Sequence, residues 1–146
     1  MTISRKLLCA VYALIALLAL VGTWGNNIHY LSLGFLGANA RFWTDTLANP
    51  ASRSITADIF FLTYAATFWM LLEARRLGMK GAWLYVLFGA LIAISVTFPA
   101  FLIHRERAQA ARGDGIEAGR LTAMDMLGLA AMGLMVLVYG VVALAR

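Results

Sequence analysis

Residues 71–84 read LLEARRLGMKGAWL, which sets Glu73, Arg75, Arg76 and Lys80 between apolar runs on both sides. Four charges within eight residues are unexpected in a chain of 146 residues that is 62% hydrophobic and 13% charged. Soluble domains are about 45–50% apolar and about 25% charged, so a soluble core of this length cannot hide the excess. Hydrocarbon can. The composition points to one integral membrane domain covering residues 1–146, with the charged stretch as a link between two spans.

Cations suit a helix C-terminus and glycine suits the position just beyond it, so Gly78 is placed to stop the helix after Arg76. A link this short joins its flanking helices as an antiparallel hairpin. Dense positive charge in a short loop is a cytoplasmic signal, and Arg5 and Lys6 then share that side. The complete count is balanced at six cations on each side, with Arg41, Arg53, Arg105, Arg107, Arg112 and Arg120 outside. The outer links are longer and partly offset by acids, so both termini are expected inside.

Four spans follow from the apolar runs. The first covers residues 7–25, 19 positions without a charge, close to the roughly 30 Å of hydrocarbon at about 1.5 Å per residue. Arg5 and Lys6 ahead of it resemble a signal sequence. No small-x-small cleavage site precedes Trp24, so an uncleaved anchor is expected. The second span covers residues 55–72, its helix starting earlier at the Asn49-Pro50 cap. The third covers residues 81–103, with Gly89, Ala93 and Thr97 as a small-residue face and Pro99 as a kink point. The fourth covers residues 126–145, behind a Thr122–Asp125 capping box, with Gly133 and Gly140 on one face. Ala13, Ala16 and Ala19 offer a matching small strip on the first span.

Runs near 20 residues are too long for barrel strands, so the fold class is all-α: four transmembrane helices. The first loop is rich in aromatics, and residues 39–47 suit a short interfacial helix with Trp43 and Leu47 on one face. Trp24 and Trp43 are expected as headgroup-level anchors. Residues 105–121 read as a helical extension of the third span followed by a turn at Gly113-Asp114-Gly115.

ANPASRSITADIFF, LLEARRLGMKGAWLYV and FPAFLIHRERA together resemble a small bacterial membrane-protein family, domain of unknown function 2834. The matching positions are Asp58, Glu73, Arg75, Arg76, Leu77, Gly78, Met79, Lys80, Pro99, Arg105 and Glu106. The resemblance covers roughly residues 1–107. It implies a bacterial inner-membrane location and a three-span pattern, to which residues 108–146 add a linker and a fourth span. It implies no activity.

Asp58 is the sharpest candidate for function, about 12 Å into a helix that begins at Pro50. It equally fits a solvated carboxyl at the outer interface, paired with Arg53. Glu73 reads as structural, held by Arg76 three residues on. His29 and His104 are the two histidines. The expected topology places both outside with Asp58 and Arg105, where a shared vestibule is one outcome and bland interfacial histidines are the other. No metal-ligand spacing exists, and no cofactor is expected. Cys9 stands alone, so an intrachain disulfide is excluded. The net charge of +5 lies at span ends without a base-stacking stripe, which argues against nucleic acid.

Three classes of function remain. The first is a non-enzymatic binding or accessory module that self-associates or joins a membrane complex. The second is a small transporter or proton-coupled conduit using Asp58. The third is a membrane enzyme acting on a lipid-like ligand. The partners these readings imply are the bilayer, a second copy or a membrane complex.

Overall fold

A computed structural model of the chain describes residues 3–113 and, beyond them, Ala123, Leu127, Ala130, Ala131, Leu134, Leu137, Val138 and Val141, which are helical. The expected cap and glycines of the fourth span lie outside the described residues. Residues 3–113 form five α-helices, α1 Ile3–Asn27, α2 Gly34–Thr46, α3 Pro50–Arg76, α4 Ala82–Leu91 and α5 Ile94–Arg112, with a 3-10 segment Ile28–Leu33 after α1. No strand occurs among the described residues. Among the described residues two stretches are long and apolar enough to cross a membrane: Ser4–Thr46, which opens with α1, and α3.

Local chemistry sets the ends of α3. Asn49 accepts from the Ser52 N–H at 3.0 Å while Ser52 Oγ accepts from the Asn49 N–H at 3.3 Å, a reciprocal cap ahead of Pro50. At the far end Gly78 turns into the left-handed region at φ 60°. The Met79 N–H then reaches the Ala74 carbonyl at 2.8 Å and the Gly78 N–H reaches Arg75 at 3.2 Å. These two bonds form a complete Schellman stop. Both ends of α3 fall where the sequence places them.

The third apolar run does not form one crossing rod. It breaks at Ile92–Ala93, where Ala93 is fully extended, and α5 folds back along α4. Tyr85 meets Phe101 edge-on at 5.6 Å between ring centroids. Nearer the turn, a Cβ placed on Gly89 would lie 2.9 Å from Thr97 Oγ1 and 3.2 Å from Ile94 Cδ1. Gly89 and Thr97 therefore face each other across a hairpin instead of sharing one helix face. Pro99 lies inside an unbroken α5 and does not cause the turn.

Ala16 and Ala19 of the expected strip lie on the packed face of α1, and Ala13 does not. Arg5, Cys9, Tyr12, Ala16, Ala19 and Thr23 are half-buried while Ala13 is exposed, which is the 3.5-residue spacing of a helix packed along a neighbour. That neighbour is α5, the helix with which α1 makes its most extensive contact. Cys9 and Tyr12 lie within electrostatic reach of Glu106, and the Trp24 indole N–H donates to the Ile92 carbonyl at 3.3 Å. Helices α1 and α5 are thus antiparallel. The indole bond satisfies a carbonyl that the hairpin turn would otherwise leave open. A small core of Met70, Ala74 and Phe101 closes the other end of the hairpin against α3, with Met79, Tyr85 and Leu102 around it.

Replacing both Gly89 and Thr97 with cysteine in a Cys9→Ala background tests this turn. A straight helix separates the two positions by about 12 Å, beyond disulfide reach. Oxidation is expected to cross-link the pair within one chain, seen as a reducible mobility shift, and failure to do so would contradict the hairpin.

Candidate functional site

Glu73 sits in the last turn of α3, 8% exposed, at a position where the helix C-terminus favours cations around it. Arg76, one turn on, grips its carboxylate with two bonds of 2.7 Å. Arg105 of α5 adds Nε at 2.7 Å from Glu73 Oε1, and its Nη1 reaches Glu106 Oε1 at 2.9 Å. The same guanidinium lies 5.7 Å from the centroid of the Trp69 ring, a cation–π placement. Arg112 completes the junction by donating to the Arg76 carbonyl at 2.8 Å. Two buried carboxylates and two guanidinia balance in charge, and the planar fork of Arg105 suits a bridge that lysine could not reproduce.

This geometry corrects the expected placement of the candidates. Arg105 and His104 do not lie at the end opposite Glu73, Arg75, Arg76 and Lys80; all six share one end. The reason is the turn at Ile92–Ala93, which returns α5 to its starting level. His104 shares a 3.1 Å hydrogen bond with Tyr85, whereas His29 follows α1 at the opposite end and is exposed. The vestibule of His29, His104 and Asp58 does not form. Asp58 is exposed on α3 among Ile55, Ile59, Phe60, Phe61 and Leu62, about 22 Å along the helix from Glu73. Arg53 is engaged elsewhere, donating to the Leu47 carbonyl at 2.9 Å. Arg75 and Lys80 are exposed.

At the opposite end Tyr30 donates to Asp45 at 2.9 Å and Arg41 lies 3.1 Å from the same carboxylate. Trp43 stacks on Phe60 with centroids 5.7 Å apart, fastening α2 to α3. Sequence reading missed Asp45, Trp69 and Tyr85, and it placed Arg112 at the opposite end. Arg41 and Asp45 at i,i+4 are a local signal, and Arg112 just before Gly113 marks a helix end; Trp69 and Tyr85 carry none. Among the described residues no three His, Cys, Asp or Glu gather around a metal-sized space. The ion cluster is a mechanical joint, since its charged groups are engaged with one another.

The two arms of the joint differ in value. Arg76 is 56% exposed and Arg105 23%. Arg105→Gln is expected to destabilise the chain by about 3–5 kcal/mol, because it takes the ion pair from the buried Glu106 and leaves Glu73 to Arg76 alone. Arg76→Gln is expected to cost about 1 kcal/mol or less. Unfolding in detergent micelles measures both, and a larger loss for Arg76→Gln would contradict this assignment.

No curated protein and no solved structure matches the chain. A family model does match residues 11–107, about two thirds of the length, under the description "Protein of unknown function DUF2834". The matched region runs from within α1 into α5 and contains Glu73, Arg76, Arg105 and Glu106, while Arg112, which completes the joint, lies beyond it. The chain belongs to this family of unknown function.

Proposed function

We propose that this is a small integral membrane protein whose work is binding: it self-associates or joins a larger membrane complex. The supporting observation is the exposure of α1 and α3. The most apolar window of the segment that opens with α1 has none of its residues buried within the molecule, and that of α3 has 6%. Faces so apolar need hydrocarbon or another helix against them. The hairpin α4–α5 enters from one side beside them. Its ten-residue α4 is about 15 Å long, roughly half the hydrocarbon thickness. Helix α2 lies along the opposite interface, with Trp43 and Leu47 toward the headgroups.

Among the described residues the hairpin also changes the charge count. Arg5, Lys6, Arg75, Arg76, Lys80, Arg105, Arg107 and Arg112 now share one end, against Arg41 and Arg53 at the other. Eight cations against two favour that first end as cytoplasmic, with the N-terminus inside. A bacterial inner membrane fits both this bias and the family resemblance.

A second reading rests on Asp58. Its carboxylate is presented outward from an apolar stretch, where several copies could assemble a proton-coupled conduit. The binding reading has Asp58→Asn leave folding and assembly unchanged, with no flux to lose. Loss of a proton-coupled flux with folding intact would favour the conduit.

The chain is expected to remain in the membrane pellet after alkaline carbonate washing. In mild detergent it is expected to run as an oligomer or with a co-purifying membrane partner by native mass spectrometry. Release by carbonate would contradict the membrane placement. A strictly monomeric, partner-free species would contradict the binding role.

A further inference from the structure

Between α4 and α5 runs an open groove of about 510 Å³, within the range of roughly 300–1,000 Å³ typical of small-molecule sites. Its walls are mainly apolar, with Leu84, Phe88 and Ala100 along its length and Tyr85 and His104 hydrogen-bonded beside it. The two ends differ chemically. At one lie Lys80, which forms no ion pair among the described residues, and Gly81, the N-cap of α4. Gly81 sits at φ 76° and provides no side-chain cap, so α4 begins beside Lys80 with no side-chain acceptor on its first N–H groups and with its positive end at the groove mouth. At the other end Thr97 is 6% exposed, and its Oγ1 has no hydrogen-bond partner. That end offers a neutral hydroxyl and apolar walls, and no charge.

A cation and an uncapped helix N-terminus at one end, with about 15 Å of apolar channel behind them, complement an anionic head and a hydrocarbon tail. We propose that this groove holds one acyl chain of an anionic phospholipid, its phosphate seated on Lys80 and the N-terminus of α4. The inference rests on the membrane reading above, which brings Lys80 to the headgroup level of the cytoplasmic leaflet, where anionic lipids lie. Tyr85 and His104 line the wall within reach of the glycerol region, and Ala100 leaves the width that a methylene chain requires.

The full chain, purified from membranes in mild detergent, is titrated with phosphatidylglycerol and with phosphatidylcholine of the same acyl chains, and bound lipid is read by native mass spectrometry. Phosphatidylglycerol is expected to be retained about five- to tenfold more strongly, from one cation plus a helix terminus. Lys80→Glu is expected to abolish that preference, whereas Arg75→Glu, an exposed charge outside the groove, leaves it intact. Ala100→Phe is expected to fill the channel and reduce retention of both lipids, with helicity by circular dichroism unchanged. Equal retention of both lipids, a preference that survives Lys80→Glu, or oleate binding as tightly as phosphatidylglycerol would each overturn the proposal. Carbonate release of the chain would instead overturn the membrane reading beneath it, so the two failures are distinguishable.

Discussion

A carboxylate removed from water must be matched by charge and hydrogen bonds, and at Glu73 that requirement organises the molecule. Arg76 meets it locally. Arg105 meets it from 32 residues away, and it can do so only if the chain between them returns to the level from which it left. The α4–α5 hairpin is that return. Glu106 and Trp69 hold the same guanidinium from two further sides, so α3 and α5 meet at a joint with its charges balanced.

The hairpin meets a second constraint at its turn. A break in an apolar helix opens backbone carbonyls, and in a dry environment each must find a donor. The Trp24 indole supplies one to Ile92, which ties the turn to α1. Gly89 allows Thr97 to approach without a steric penalty, and the small stripe of Cys9, Ala16 and Ala19 lets α5 lie close along α1. Joint, turn and stripe support one another: α5 carries Arg105 at one end, packs on α1 along its length, and begins beside the carbonyl that α1 caps. Arg105, Arg107 and Arg112 thereby join Arg5, Lys6, Arg75, Arg76 and Lys80 at one end, and the α4 N-terminus with Lys80 opens at that same end.

Features encoded locally were legible in the sequence. Asn49-Pro50 marks the start of α3, Gly78 its stop, and Glu73 with Arg76 a pair at i,i+3, because each rests on residues within one or two turns. The membrane-like composition and the family resemblance were legible for the same reason. The hairpin was not, because LFGALIAISV carries no proline, asparagine or charge to mark a turn, and Ala93 reaches its extended backbone without needing glycine. The Glu73–Arg105 contact depends on that turn and was lost with it, and so was the true placement of His104. The groove was illegible because it arises from the spacing of two packed helices, although Lys80 itself had been singled out as a boundary cation.

A binding role and a lipid-filled groove both presuppose that the residue pairs flanking this segment lie on one side of the bilayer. The direct measurement uses single cysteines at Arg75 and Arg107, both exposed, in a Cys9→Ala background, reconstituted in sealed vesicles of defined orientation. A membrane-impermeant maleimide should label both positions from the same face. Labelling from opposite faces would show that residues 81–103 cross the membrane as a single rod, and the joint between Glu73 and Arg105 could not exist.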